Sequence, residues 1–165
     1  MSDCCSVNAK SGVTPAVMAC PANGGRSKRV GMLTVKSLVR KLPLGMRNTQ
    51  YYFCEAQNCD VVYFALDSQA PVFRRADLMV PVGVKETADP IPVCYCFGFT
   101  RGNIHEEIAE TGRSTIAERI TAEVKAGNCA CEMKNPSGKC CLGNVKRETQ
   151  DSLRNRQGAA TKVAV

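Results

Sequence analysis

VCYCFGFTRGNIHEEIAETGRSTIAERITAEVKAGNCACEMKNPSGKCC, residues 93–141, gathers six of the chain's eleven cysteines at its two ends. Cys94 and Cys96 open it, Cys129, Cys131, Cys140 and Cys141 close it, and residues 97–128 between them contain no thiol. Such a layout needs the chain to return to its starting point. Thr100 reads as the cap of a helix with Ile104 and Ile108 on one face. Thr115 with Glu118 reads as a capping box leading into Ile116, Ile120 and Val124. Gly112 and Gly127 suit the two helix stops. Asn135-Pro136-Ser137-Gly138 is a turn signal that folds Cys131 towards Cys140. A third helix is expected from near Cys141 to Leu153, and residues 154–165 read as a disordered tail.

Thiols in this arrangement imply metal. Eleven cysteines in 165 residues is about 7%, and aromatic residues are only 5% with no Trp, so the core is thin and burial needs help. Disulfides need an oxidising compartment. The first twenty residues, with an early Asp and no long apolar run, carry neither export-signal nor membrane-span character, so a reducing cytoplasmic setting is expected. The net charge is +7, from 22 basic and 15 acidic residues. The basic residues are dispersed and no recognition motif accompanies them, which argues against nucleic acid. His105, the one histidine, lies on a polar helix face and reads as a surface residue rather than a ligand.

Before this stretch the chain has a different character. Asp89-Pro90-Ile91-Pro92 is an extended linker and marks the boundary between a segment 17–90 and a segment 91–153. In the first segment, Tyr51–Phe53 and Val61–Phe64 read as strands flanking a polar loop that carries Cys54 and Cys59, a spacing suited to zinc. Cys20-Pro21, followed by Asn23-Gly24-Gly25, reads as a knuckle turn supplying a third thiolate. Val30–Thr34 reads as a short strand, Thr34 as the cap of a helix through Val39, and Leu78–Val84 as a further strand. Residues 1–16, with the tandem Cys4-Cys5, read as a flexible lead-in. The fold class is therefore α+β: a small β-rich zinc-binding subdomain, then a short-helix subdomain with a metal cluster.

Four thiolates with nearby backbone amides suit a 2Fe-2S group. Cys94 and Cys96 supply two, and Cys131 and Cys140 are selected from the four at the far end because the turn between them brings their sulfurs together. Cys129 and Cys141 remain open alternatives, as does zinc held by the same residues.

PVCYCFGFTRGNIHEEIAETGRSTIAERI, KAGNCACEMKNPSGKCCLGNV, FCEAQNCDVVYF and the Met32–Leu38 segment together resemble the N-terminal domain of CopZ-type copper chaperones, whose cluster part is similar to bacterioferritin-associated ferredoxin. The resemblance covers roughly residues 18 to 150. It implies a 2Fe-2S cluster, a mononuclear zinc site, and reduction of cupric to cuprous ion before the metal is handed on. The partners it implies are a redox protein and a copper chaperone or copper ATPase. The family's first knuckle usually reads Cys-Pro-x-Cys. Here it is Cys20-Pro21-Ala22-Asn23, so the fourth zinc ligand falls to Cys5, with Cys4, Asp60 or water as alternatives. Neither segment shows a Met-x-Cys-x-x-Cys metal-binding loop. The leading expectation is a small electron carrier with one 2Fe-2S cluster and one zinc. A non-redox soft-metal binder or sensor, and an iron–sulfur assembly factor, are the alternatives, separated from it by iron, sulfide and zinc content.

Overall fold

The computed structural model describes residues 14–162, with side chains through residue 157. Cys4 and Cys5 lie outside the described residues.

Five strands form an antiparallel meander in sequence order: β1 (Val17–Ala19), β2 (Arg26–Val30), β3 (Tyr51–Phe53), β4 (Val61–Ala65) and β5 (Phe73–Arg74). The two central strands fall on the aromatic and β-branched runs, as β-propensity predicts. Side-chain alternation along them divides the interior in two. Tyr51, Phe53, Tyr63 and Ala65 face one side, where α1 (Met32–Leu38) brings Val35 and the residue after it brings Val39. Tyr52, Cys54 and Phe64 face the other, together with Cys20 and Cys59. All five residues of β4 are buried because both faces are covered. Cys54 reaches the thiol face by parity, one residue beyond Phe53.

The expected strand over Val30–Thr34 resolves differently: β2 ends at Val30 and α1 starts at Met32 behind Gly31. Thr34 is buried inside the helix rather than capping it. The cause is long-range. The turn after α4 (Cys131–Lys134) packs on α1, and a Cβ at Gly138 would stand 2.7 Å from the Thr34 hydroxyl. Leu78–Val84 is likewise no strand. It runs between two 3-10 turns, Arg75–Asp77 and Gly83–Lys85, with one bridge from Leu78 to Val39.

Beyond the linker, β6 (Pro92–Cys94) pairs with β7 (Phe99–Thr100), and α2 (Arg101–Thr111), α3 (Ile116–Lys125) and α5 (Leu142–Lys162) pack around Ile104, Ile108, Ile116, Ile120 and Val145. α5 continues well past the expected end at Leu153, into the stretch that reads from sequence as a disordered tail. Arg156 donates to the Ile108 carbonyl, anchoring the extension on α2.

Thr100 caps α2 as the sequence predicts, its hydroxyl accepting from the Asn103 amide. At α3 the expected Thr115–Glu118 box is absent. Glu107 of the preceding helix does the capping instead, accepting from the Thr115 amide at 2.9 Å, the Thr115 hydroxyl at 2.6 Å and the Ser114 hydroxyl at 2.7 Å. The Thr115 hydroxyl bond, helped by those of Ser114 and the Thr115 amide and by the Arg119 charge, outweighs the effect of burial and holds the Glu107 carboxyl below its usual range. Glu107→Ala is expected to cost about 1 kcal/mol, the usual worth of an N-cap. That stability is present above the unfolded carboxyl pKa and lost as pH falls through the lower folded value. Urea unfolding of the two proteins should therefore differ at pH 7 and converge in acid. A constant difference across the titration would remove the charge from the explanation.

Candidate metal centres

The first centre is built by three pieces of the zinc-suited segment. The knuckle after β1 closes through bonds from the Cys20 amide to the Gly25 carbonyl and from the Gly24 amide to the Cys20 carbonyl, both 2.8 Å. Gly24 has φ +69°, a conformation that glycine adopts at little cost. Strand β3 delivers Cys54, and the loop between β3 and β4 delivers Cys59. The three sulfurs lie within 4.8 Å of one another and all three residues are buried. Cys20 and Cys59 are 4.0 Å apart at sulfur.

Donors surround them. Burial pushes the Cys20 thiol up, opposed by the Ala22 and Asn23 amides. Burial acts on Cys54 too, but the Ala56 amide, the Asn23 side chain and the Lys85 ammonium outweigh it and hold that thiol below its ordinary range. Asn23 stands where the sequence resemblance places a fourth cysteine. Its side chain turns into the site as a donor, with Nδ2 3.5 Å from the Cys54 sulfur and Oδ1 taking the Gly25 amide at 2.7 Å. Asp60 faces away, its carboxylate 3.2 Å from Arg74. An all-thiol group with amide donors and a buried cation beside it suits zinc.

The second group of thiols sits where β6, the turn after it, α4 and the start of α5 converge. Cys96 and Cys131 are 3.6 Å apart at sulfur. Cys94, fully buried, is hydrogen-bonded by the Cys141 thiol, which with the Phe97 and Cys96 amides brings its pKa down to about 6 against the effect of burial. Donation to Cys94 and burial push Cys141 up. Burial and the neighbouring Cys96 raise Cys131 to about 12. The Ala130 amide points at Cys96 at 3.4 Å, and the Cys141 amide at Cys131. The structure thus brings together Cys94, Cys96 and Cys131 of the expected set, with Cys141 in place of Cys140. The Asn135–Gly138 turn forms as predicted, with Gly138 at φ +66°, but it leaves the Cys140 thiol exposed on a cleft of about 280 Å³. Cys129 is half-buried. His105 lies on the surface, 3.3 Å from Glu148.

Lys85 and Tyr95 were invisible as site residues in the sequence. Lys85 falls between the expected strand and the proline-rich linker and carries no motif. Tyr95 lies between two cysteines as if it were a spacer, yet its hydroxyl accepts from the Gly83 amide at 2.8 Å and donates to the Pro81 carbonyl at 3.0 Å.

Comparison with known proteins bears on the fold and on the first centre. The CopZ-type model described as a zinc binding domain matches residues 17–79. The X-ray structure of the Archaeoglobus fulgidus CopZ N-terminal domain superposes with a TM-score of 0.66 at 37% identity, covering 79% of this chain and 96% of that one. The chain belongs to the CopZ N-terminal-domain family. Copper chaperone CopZ of Archaeoglobus fulgidus is 36% identical over 131 residues, which are 79% of this chain and 61% of that protein's length. The zinc-binding domain of the family coincides with the five-stranded meander, and Cys20, Cys54 and Cys59 form its thiol cluster. No helix among the described residues is long and apolar enough to cross a membrane.

Proposed function

We propose that this chain is a small cytoplasmic iron–sulfur electron-transfer protein. Cys94, Cys96, Cys131 and Cys141 hold a 2Fe-2S group, the trithiol centre holds zinc, and the electron carried serves copper handling by reducing cupric to cuprous ion. Cys5 is proposed as the fourth zinc thiolate.

The observation that carries this reading is the pairing of the four thiols. Cys96 lies against Cys131 and Cys94 against Cys141, while no three of these sulfurs fall within 4.8 Å of one another, in contrast to the trithiol centre. A single tetrahedral ion gathers its ligands around one point, whereas a 2Fe-2S group takes two thiolates at each iron. When bound, that group supplies a one-electron couple. The chain's own residues shape it. Backbone amides of Cys96, Phe97, Ala130 and Cys141 aim at the sulfurs, which favours the anionic form. Phe97 and Phe99 cover the group, the latter under the Arg119 guanidinium at 4.8 Å. Cys140, next to Cys141 in sequence, lies on the neighbouring cleft. One electron passed to one cupric ion yields one cuprous ion. A redox protein supplies the electron, and a copper chaperone or copper ATPase takes the product.

The test is anaerobic purification with metal analysis. Iron and labile sulfide are expected at about two each per chain, and zinc at about one. The visible absorption should bleach with dithionite and return on adding cupric ion, with cuprous ion trapped by a specific chelator. A colourless protein holding only zinc would refute the electron-carrier reading. Zinc retained in full by Cys5→Ser would refute that residue's assignment.

A further inference from the structure

Lys85 is the one charged side chain among the described residues that is buried, at 1% exposure, and it forms no ion pair with a carboxylate there. Its ammonium donates to the carbonyls of Ala56 at 2.7 Å and Cys59 at 2.9 Å. Those are the two ends of the turn that carries Cys59, already closed by a bond from the Cys59 amide to the Ala56 carbonyl. The lysine backbone is itself fixed. Its amide bonds the Val82 carbonyl at 2.7 Å, and Gly83 is pressed against the Pro92 carbonyl, where no Cβ fits.

A buried cation without an anion is costly, and of the trithiol centre's sulfurs it is the Cys54 thiolate that Lys85 acts on electrostatically. Charge bookkeeping gives the sign. Loading a divalent ion onto three thiols releases three protons, so the centre becomes more negative by one unit, and by two if a fourth thiol joins. A fixed positive charge therefore favours the loaded form over the empty one. The two carbonyl bonds add a geometric effect, because they set the distance at which Cys59 faces Cys20 and Cys54.

We propose that Lys85 is a positioning residue of the zinc centre: its ammonium holds the Ala56–Cys59 turn closed and offsets the charge of the zinc–thiolate group, and so sets how firmly the chain retains zinc. This rests on the zinc reading of the centre. The function lies outside the three ligands and on a segment that belongs to neither strand of the zinc loop.

The experiment compares Lys85→Met, Lys85→Gln and Lys85→Arg with the wild type in the full chain, measuring zinc release to a chromogenic chelator and the spectrum of the cobalt-substituted protein. Lys85→Met removes charge and donors and should release zinc about 10- to 100-fold faster, the range seen when an outer-shell partner is lost. Lys85→Gln keeps a donor without charge and should also release zinc faster than wild type. Lys85→Arg keeps both and should stay within about threefold of wild type, with the cobalt–thiolate bands unshifted. If Lys85→Met does not fold, the Gln and Arg variants carry the comparison. Uncharged variants that release zinc at the wild-type rate with unchanged cobalt bands would overturn the proposal, as would an arginine variant as leaky as the methionine one. A wild-type chain that takes up no zinc overturns the zinc reading itself, a result distinct from either.

Discussion

Cys141→Ser is expected to remove the visible absorption and most of the iron, whereas Cys140→Ser leaves both at wild-type level. The two cysteines are adjacent, so local sequence gives no reason to separate them. Their surroundings do. Cys141 is 2% exposed, its thiol donates to Cys94, and its amide points at Cys131, while Cys140 opens onto solvent. A serine at 141 replaces a soft thiolate by a hard, weakly acidic hydroxyl in a buried position, which an iron–sulfur group tolerates poorly. The same change at 140 alters an exposed thiol that acts on Cys131 and Cys141 only through its charge. Iron and sulfide analysis with the absorption spectrum decides it. The reverse pattern would return the fourth place to Cys140, as the turn between Cys131 and Cys140 suggests from sequence. Loss in neither variant would move it to Cys129.

Cys54→Ser is expected to lower zinc content to less than about a tenth of wild type and to destabilise the chain by several kcal/mol, well beyond the ~1 kcal/mol of a typical substitution. Structural zinc contributes about 10–16 kcal/mol of apparent binding energy that is also folding energy. The Ala56 amide, the Asn23 side chain and Lys85, acting against burial, hold the Cys54 thiol below its ordinary range, so its loss removes a favoured donor. It also lies at the end of β3, between Tyr52 and the loop, where the meander has little apolar material besides Phe64 and Val61. Thermal unfolding with and without a zinc chelator provides the check. The chelator should bring the wild type down towards the variant and leave the variant almost unchanged. A variant that unfolds at the wild-type temperature with its zinc in place would show that the metal does not hold this half together.

The parts of this architecture that were legible in the sequence are those set by near neighbours. Tyr51–Phe53 and Val61–Ala65 announce strands by their residue types, and the knuckle at Cys20 announces itself by Pro21 and two glycines. Thr100 caps α2 from three residues away. Where the reading departs from the structure, a distant partner intervenes. Leu78–Val84 has the composition of a strand, but Val39 takes Leu78, and Tyr95 takes the backbone at Pro81 and Gly83. Thr115 has its own Glu118, yet Glu107 reaches it first across the α2–α3 turn. Lys85 carries no sign in its neighbourhood that it will be buried. Periodicity finds faces, but it does not find the carbonyl that a single ammonium will meet.

Tyr95, described as a tie between Gly83 and Pro81, also changes how the molecule comes apart. It sits between two cysteines of one centre and grips the segment whose lysine clasps the other, while Tyr63 in β4 donates to the Pro136 carbonyl beyond α4 at 2.7 Å. The proline-rich linker at 89–92 is therefore a seam in sequence and not a line of cleavage in space. Melting one half strips these hydrogen bonds from the other, so the stabilities of the two sulfur-rich regions are coupled.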